Sequence, residues 1–385
     1  MACTYCYNDD ERAPMMSEAV LERTIQQTFE FASQAASYEE IEFFWHGGEP
    51  MTVGLEFYKK AVTFQKKYCG DIKYKNNMQT NGVLIRNNWI EFFKENNFHI
   101  GISIDGPQHL HDKYRVTHSG QGTFDKVYSA IKTVQSSGLN FGVVLVISKA
   151  TLQHVGEIYS FLAENNLPFN FNPTNRSGGA REAYDELGLD AQDFGDAWIK
   201  MYDLWFDSNP KFVFVQDFAA KTRAVIYGRG SECTGLSQCG NSTISTDPIG
   251  DIYPCGSLSG HADTRYGNIM EHSLHDLMQS STAANYRYRE VDEHCNSCKW
   301  QHVCHGGCPA RAYKFYNDYH HRDYYCPSLY RIFEHIEKRL LERGIEKGEP
   351  HPEHMDDGMT LLIEEAKRLA AKKSSRMNSI AIIQL

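Results

Sequence analysis

The sequence predicts an α/β protein with a parallel-sheet domain over residues 1–225, a cysteine-rich domain over 226–330, and C-terminal helices with a linker and tail over 331–385. Three observations carry this expectation. Short apolar runs alternate with helical patterns through the first 225 residues, the mark of repeated βαβ units. At least three of these runs end in a glycine-containing turn. Eight of the eleven cysteines then crowd between positions 233 and 326, where long periodic segments become scarce.

Each element has a local reason. The first helical pattern is Ser17–Ala35. Ile41–Trp45 (IEFFW) is an apolar run leading into Gly47-Gly48, and reads as a buried strand with a sharp exit. Leu55–Tyr68 is helical, Met78–Thr80 ends in the turn pair Asn81-Gly82, and Asn88–Asn96 is helical again. Ile100–Ile104 (IGISI) ends in Asp105-Gly106-Pro107. The helical patterns Phe124–Ser137 and Leu152–Asn165 flank the strand Asn140–Ile147 (NFGVVLVI), and Pro168–Asn172 (PFNFN) has the same strand character. Parallel sheets of this kind bind ligands at the carboxyl ends of their strands. In the cysteine-rich stretch, bound metal would replace part of a hydrophobic core. A helix is expected over 327–345, a polar linker with two prolines over 346–358, and a second helical pattern over Thr360–Lys373. The last apolar run, Ile380–Leu385, is short. No internal repeat is present.

Composition excludes several classes. The chain is long enough for one large or two medium domains, with 385 residues and a net charge of −10. No basic run lies outside the C-terminal tail, so no nucleic acid is expected as a partner. No stretch of 18 or more apolar residues occurs, so no membrane is expected either. A secretion signal is not visible at the N-terminus. Cluster-ready thiols imply a reducing, cytoplasmic location. The 22 Tyr and 21 Phe suit a partly apolar reaction chamber as well as an ordinary core.

The cysteine spacing is the sharpest signal. The large group is Cys233-x5-Cys239-x15-Cys255, then Cys295-x2-Cys298-x5-Cys304-x3-Cys308, then Cys326; the small group is Cys3-x2-Cys6. A 4Fe–4S cubane takes four thiolates, so eight thiols match two cubanes. Structural zinc would explain Cys295, Cys298, Cys304 and Cys308 but leave the other four without a scheme. A disulfide framework belongs to small secreted chains.

Cys3-Thr-Tyr-Cys6-Tyr-Asn resembles the second half of the radical S-adenosylmethionine motif CxxxCxxC. The resemblance continues through Trp45-His-Gly47-Gly48-Glu49-Pro50, Gln79-Thr-Asn-Gly82, Ser103-Ile-Asp105-Gly-Pro and His111-Asp-x-x-Arg115. The later cysteines resemble the two-cluster SPASM extension, including Cys239-x10-Gly250-x4-Cys255. On these motifs the chain is similar to the peptide and protein maturases of that family over nearly all of residues 1–330: anaerobic sulfatase maturases and ribosomal-peptide maturases. The resemblance implies a partial (β/α)6 radical-SAM barrel followed by a SPASM iron–sulfur domain. It implies S-adenosyl-L-methionine and 4Fe–4S clusters as cofactors, one of them a radical cluster and two auxiliary. Cys3 and Cys6 would ligate the radical cluster. Cys233, Cys239, Cys255 and Cys308 would hold the first auxiliary cluster, and Cys295, Cys298, Cys304 and Cys326 the second. Gly47, Gly48 and Glu49 would receive the methionine amine, and Gln79 belongs to the same cofactor-binding set. Tyr5 would contact adenine, Ser103 the ribose, Arg115 the methionine carboxylate, and Asn175 would lie near the adenine.

Two departures matter. The first cysteine of CxxxCxxC should lie four residues before Cys3, and counting back runs past Met1. The expectation is a missing N-terminal stretch, and the 385-residue chain by itself would then be inactive. Sulfatase maturases also place an Asp directly after the third cysteine of the SPASM region. Here Cys255 is followed by Gly256, Ser257, Leu258 and Ser259. Substitute bases, hence candidate catalytic residues, are Asp105 and Asp251, with Asp318, His320, His321 and Asp323 as further polar candidates.

The expected function is a radical maturase that removes hydrogen from a side chain of a peptide or protein, crosslinking a ribosomally made precursor peptide. The alternatives are formylglycine formation from Cys or Ser in a sulfatase, and a non-catalytic iron–sulfur protein. An electron donor such as flavodoxin or ferredoxin is the expected redox partner.

Overall fold

A computed structural model of the chain describes residues 1–8, 14–34, 38–174, 176–208, 213–230, 233–236, 239–345 and 377–384. The first part is a half-barrel of parallel strands: β1 (Tyr38–His46), β2 (Lys73–Thr80), β3 (Phe98–Ser103), β4 (Phe141–Ile147) and β5 (Phe169–Pro173). The helices of two turns or more in this part are α1 (Glu18–Gln34), α2 (Leu55–Tyr68), α3 (Asn87–Glu95), α4 (Gln108–Tyr114), α5 (Phe124–Ser137), α6 (Val155–Glu164), α7 (Ala191–Phe206) and α8 (Gln216–Tyr227). All five expected strands and the helices expected around them are present.

Alternation along the strands separates the helix-packed face from the face that holds the site. In β3, Phe98, Ile100 and Ile102 are buried, whereas His99, Gly101 and Ser103 are only partly so. In β4, Val143, Leu145 and Ile147 are buried the same way. The helices answer with apolar stripes at helical spacing, such as Leu21, Ile25, Phe29 and Ala32 on α1. Helix α7, which the sequence reading did not single out, buries Phe194, Trp198, Met201 and Trp205.

The cysteine-rich part adds three short strands, β6 (Thr243–Thr246), β7 (Asp251–Tyr253) and β8 (Gly267–Asn268). It also adds α9 (Ser281–Arg287) and α10 (Pro309–Tyr316), and leads into α11 (Cys326–Glu342). The β6–β7 hairpin turns through Asp247 to Gly250, where φ is 91°, a value that favours glycine.

The end of the chain departs from the expectation of helices and a tail. The linker at 346–358 and the pattern Thr360–Lys373 lie outside the described residues. The final apolar run is a strand, β9 (Met377–Gln384). It pairs parallel with β1 on one side and with β6 on the other. The sheet therefore runs β5-β4-β3-β2-β1-β9-β6-β7-β8, nine strands among the described residues. Among the described residues, no helix is long and apolar enough to cross a membrane.

Candidate functional site

The N-terminal cysteines sit on a loop laid against the segment after α4. Ala2 N–H donates to Val116 C=O at 2.8 Å and Thr4 N–H to Tyr114 C=O at 3.2 Å, while Cys6 N–H closes a turn onto Cys3 C=O at 3.0 Å. Beneath it lies a buried ion pair. Arg115 donates through Nε to Asp105 Oδ2 at 2.7 Å and through its Nη2 to Oδ1 at 3.0 Å. Tyr5 O–H also donates to Asp105, and Val146 N–H donates to it at 3.0 Å. The Tyr5 ring is turned inward, 6.0 Å from Tyr114 and with the Arg115 guanidinium 5.4 Å from its centroid. Burial raises the cost of charge on Asp105, but Arg115 and the surrounding hydrogen bonds outweigh it and hold the carboxyl below its usual range. A carboxylate so partnered is suited to orienting Arg115 and Tyr5 rather than to accepting a proton. Burial, then the nearby Asp105 and Cys6 against the opposing pull of Arg115, leaves the Cys3 thiol raised.

The strand ends converge on this loop. At the end of β1, Gly47 has φ of 134°, a conformation a side chain would strain. Its carbonyl accepts from Asn8 at 3.0 Å, and Tyr7 O–H meets His46 Nδ1 at 2.6 Å. Glu49 accepts from Met51 N–H at 3.1 Å, Thr80 O–H at 2.6 Å and Asn81 N–H at 2.8 Å. Burial still raises its pKa against those hydrogen bonds. Gly48 is exposed beside it. Gln79 donates to Ser103 Oγ across β2 and β3 at 3.1 Å. A Cβ on Gly101 would stand 2.2 Å from Gln79 Oε1, so the glycine makes room for that side chain. The structure thus brings Tyr5, Gly47, Glu49, Gln79, Ser103 and Arg115 to one end of the half-barrel. Asn175 lies outside the described residues.

The eight later thiols interact within two sets. Burial, then Cys308 and Cys239, push the Cys255 thiol up to about 12, and burial and Cys308 raise Cys239. Burial, then Cys239, Cys308 and Cys255, raise the Cys233 thiol well above its usual range. In the other set, burial, Asp323, Cys326 and Cys295 push Cys304 up to about 12. Burial, partly offset by Arg322, and then Cys295 and Cys298 push Cys326 up to about 11. Burial, Asp292 and Cys298 raise Cys295. Crowded thiols of this kind lose their protons readily only to a metal, and four sulfur donors per set fit a cubane.

The loop from Cys304 to Cys308 wraps through three consecutive left-handed residues, His305, Gly306 and Gly307. Asp323 fastens it, accepting from Cys308 N–H at 2.8 Å and from Arg311 Nε at 2.9 Å. That carboxylate is buried and committed. Asp251 accepts from Arg265 at 2.6 Å and from Asn268 at 2.7 Å. Asp318 accepts from His320 N–H at 2.8 Å, and the His321 ring lies 3.9 Å from that of Tyr316. Gly256 opens a short 3-10 turn directly after Cys255. No carboxylate side chain can arise at that position.

Several residues of the site were not found in the sequence. Tyr7, Asn8 and His46 tie the cysteine loop to the end of β1. Gly178 lies under it: a Cβ there would be 2.4 Å from Cys6 C=O, and its φ is 58°. The adjacency of Cys6-Tyr7-Asn8 to a known motif was the one available signal for the first two; nothing local marked Gly178.

Comparison with known proteins agrees with this arrangement. Residues 1–162 match the radical SAM superfamily, and residues 233–299 match the iron–sulfur cluster-binding SPASM domain. The serine-type anaerobic sulfatase-maturating enzyme of Klebsiella aerogenes is 30% identical over 343 residues, spanning 87% of this chain and 82% of that protein. The solved structure of anSMEcpe with bound AdoMet and the Kp18Cys peptide has a TM-score of 0.76 at 26% identity, over 89% of this chain and 94% of that one. Streptococcus suis SuiB, solved with precursor peptide SuiA, shares the fold, with a TM-score of 0.59 at 18% identity over 84% of this chain and 72% of that one. The half-barrel, the two thiol sets and these similarities lead to one conclusion: the chain is a peptide-modifying radical SAM enzyme with a SPASM domain, using AdoMet and 4Fe–4S clusters, and belongs to the anaerobic sulfatase-maturating enzyme family.

Proposed function

We propose that the enzyme removes hydrogen from a carbon side chain of a ribosomally made precursor peptide and closes a crosslink. The observation that carries this reading is Gly256, which follows Cys255 where the sulfatase maturases place their proton-accepting Asp. Proton transfer needs an acceptor within about 3 Å, directly or through one water.

In this reading Cys233, Cys239, Cys255 and Cys308 hold one auxiliary cluster, and Cys295, Cys298, Cys304 and Cys326 the other. Cys3 and Cys6 would be two of the radical cluster's thiolate ligands, and with AdoMet bound that cluster would supply a 5′-deoxyadenosyl radical. The chain's own groups orient and shield that chemistry. Gly47 and Gly48 let the cofactor amine approach the backbone, and Glu49 accepts from it. Arg115, steered by Asp105, offers its second terminal nitrogen to the methionine carboxylate. Ser103, bonded to Gln79, serves the ribose, and Tyr5 the adenine. Crosslinking removes two hydrogens from the peptide, one as an atom and the other as a proton and an electron, and an auxiliary cluster held by the thiols named above would be the acceptor of that electron. Asp105 is committed to Arg115; Asp251, itself paired with Arg265 and Asn268, stands with Asp318, His320 and His321 as the candidates for that proton. A flavodoxin or ferredoxin supplies the starting electron, and free thiols of this number suit the cytoplasm.

Membership of the sulfatase-maturase family favours a second reading, formylglycine formation. Mass spectrometry of peptides after anaerobic turnover separates the two. A loss of two hydrogens on a precursor peptide is expected. A thiol-to-aldehyde change on a Cys-containing sulfatase peptide would overturn the crosslinking reading.

A further inference from the structure

Where α4 and α6 begin, three side chains of metal-ligating type meet. His109 stands on α4, His154 directly precedes α6, and Glu157 lies in the first turn of α6. One ligand atom of each lies within 4.8 Å of those of the other two. His109 Nε2 is 3.3 Å from Glu157 Oε1, and His154 Nδ1 is 3.0 Å from Glu157 Oε2. The two imidazole rings meet edge to face with centroids 6.0 Å apart. His109 and Glu157 are exposed and His154 partly so, which leaves a path for an ion from solvent.

Zinc takes imidazole nitrogen and carboxylate oxygen at about 2.0–2.2 Å. Tetrahedral donors at that bond length stand about 3.3 Å apart, close to the two separations from Glu157. The third pair, His109 and His154, closes by a small turn of solvent-facing rings. Two neutral imidazoles and one carboxylate leave a fourth position for water. Gln153 supplies outer support, its side-chain amide lying 3.1 Å from His154 Nε2. When Nδ1 binds the ion, the ring proton sits on Nε2 and the amide turns its oxygen to accept it. The dipoles at the starts of two helices disfavour a cation, and the Glu157 carboxylate offsets them.

We propose that His109, His154 and Glu157 form a divalent-metal site of the zinc class that clips α4 to α6. The two elements already pack closely there: a Cβ on Gly106, just before α4, would be 3.0 Å from Ile158 Cγ1 on α6. Helix α4 carries groups that hold the buried ion pair. Its His111 accepts from the Asp105 amide at 3.3 Å, and its C-terminal end leads into Arg115. The ion therefore fixes the start of the element whose far end presents Arg115 to Asp105. The site uses no cysteine and does not depend on which peptide the enzyme modifies.

The test uses the full chain after anaerobic reconstitution with iron and sulfide, with zinc alone as the probe. Equilibrium dialysis against radioactive zinc counts the ions bound per chain. Wild type should bind one zinc more than His109→Asn, His154→Asn or Glu157→Gln, each of which should lose at least about tenfold in affinity at that site. Zinc held by leftover thiols is common to all four proteins and cancels in the comparison. Iron per chain should be the same in the variants, which shows that they fold and load. Amide hydrogen exchange over 104–115 should slow when zinc is added to wild type and not when it is added to His154→Asn. Equal zinc counts in wild type and variants, or a difference only at millimolar zinc, would mean an adventitious ion only and overturn the site. Zinc binding with unchanged exchange in α4 would overturn the clip.

Discussion

Asp105 shows how one residue position organises a site. Its carboxylate takes bonds from Arg115, Tyr5 and the Val146 amide, and its own amide donates to His111 Nδ1 at 3.3 Å. The far nitrogen of His111 meets Thr123 Oγ1 at 3.1 Å, and Thr123 O–H donates to Arg115 C=O at 2.7 Å. His111 is fully buried, and that burial holds its pKa down to about 4 from 6.5. The folded state therefore binds fewer protons than the unfolded state between these values, and stability from His111 is present above about pH 6.5 and lost as pH falls toward 4. By pH 5.5 the loss should reach about 1.4 kcal/mol, one pKa unit's worth. Urea unfolding at pH 7.5 and 5.5 checks this: wild type should lose that much more than His111→Gln. Equal pH sensitivity in the two proteins would mean that His111 is not held neutral.

At the scale of elements, glycines decide which loops can approach one another. Gly101 on β3 makes room for Gln79, and Gly178 admits the cysteine loop. Gly307 does the same for Asp323, whose side chain would meet a Cβ at 2.5 Å. Gly178→Ala would push backbone against backbone at Cys6, with no flexible side chain to yield. In a chain extended to carry a cysteine four residues before Cys3, that change should lower iron from about twelve to about eight per chain and cut 5′-deoxyadenosine formation at least tenfold. The auxiliary iron should remain, because both thiol sets lie elsewhere. Retained twelve-iron loading would show that the loop can move aside.

Across the whole molecule, the two thiol sets lie in a region whose buried apolar residues, among them Ile252, Leu258, Ile269 and Trp300, join the same core as the half-barrel, and β9 pairs with a strand of each part. Cys308, at the start of α10, belongs with Cys233, Cys239 and Cys255, while Cys304 belongs with Cys326. The interleaving means that each set closes over the other's chain segment. The 385-residue chain should load about eight irons per molecule and no stoichiometric zinc on its cysteines. In a chain bearing the N-terminal cysteine, Cys304→Ala should reduce peptide turnover more than AdoMet cleavage, and Cys6→Ala should abolish cleavage. Equal cleavage by wild type and Cys6→Ala would remove the radical mechanism.

Much of this was legible along the chain because its causes are local. Apolar runs ending in Gly47-Gly48, Asn81-Gly82 and Asp105-Gly106-Pro107 mark strands and their site-facing ends, since turn chemistry and burial act on neighbouring residues. Cysteine spacing likewise marks the metal-binding region, because thiolate number and spacing constrain what can be ligated. What the sequence could not show depends on partners distant in the chain. Asp105 reads as a free carboxylate until Arg115 and Tyr5 are placed beside it. Gly178 is an ordinary turn glycine until Cys6 packs on it. The run Ile380–Leu385 is too short to reveal its role alone; it becomes a core strand only because β1 and β6 leave a slot with unpaired backbone on both sides, which a parallel strand satisfies.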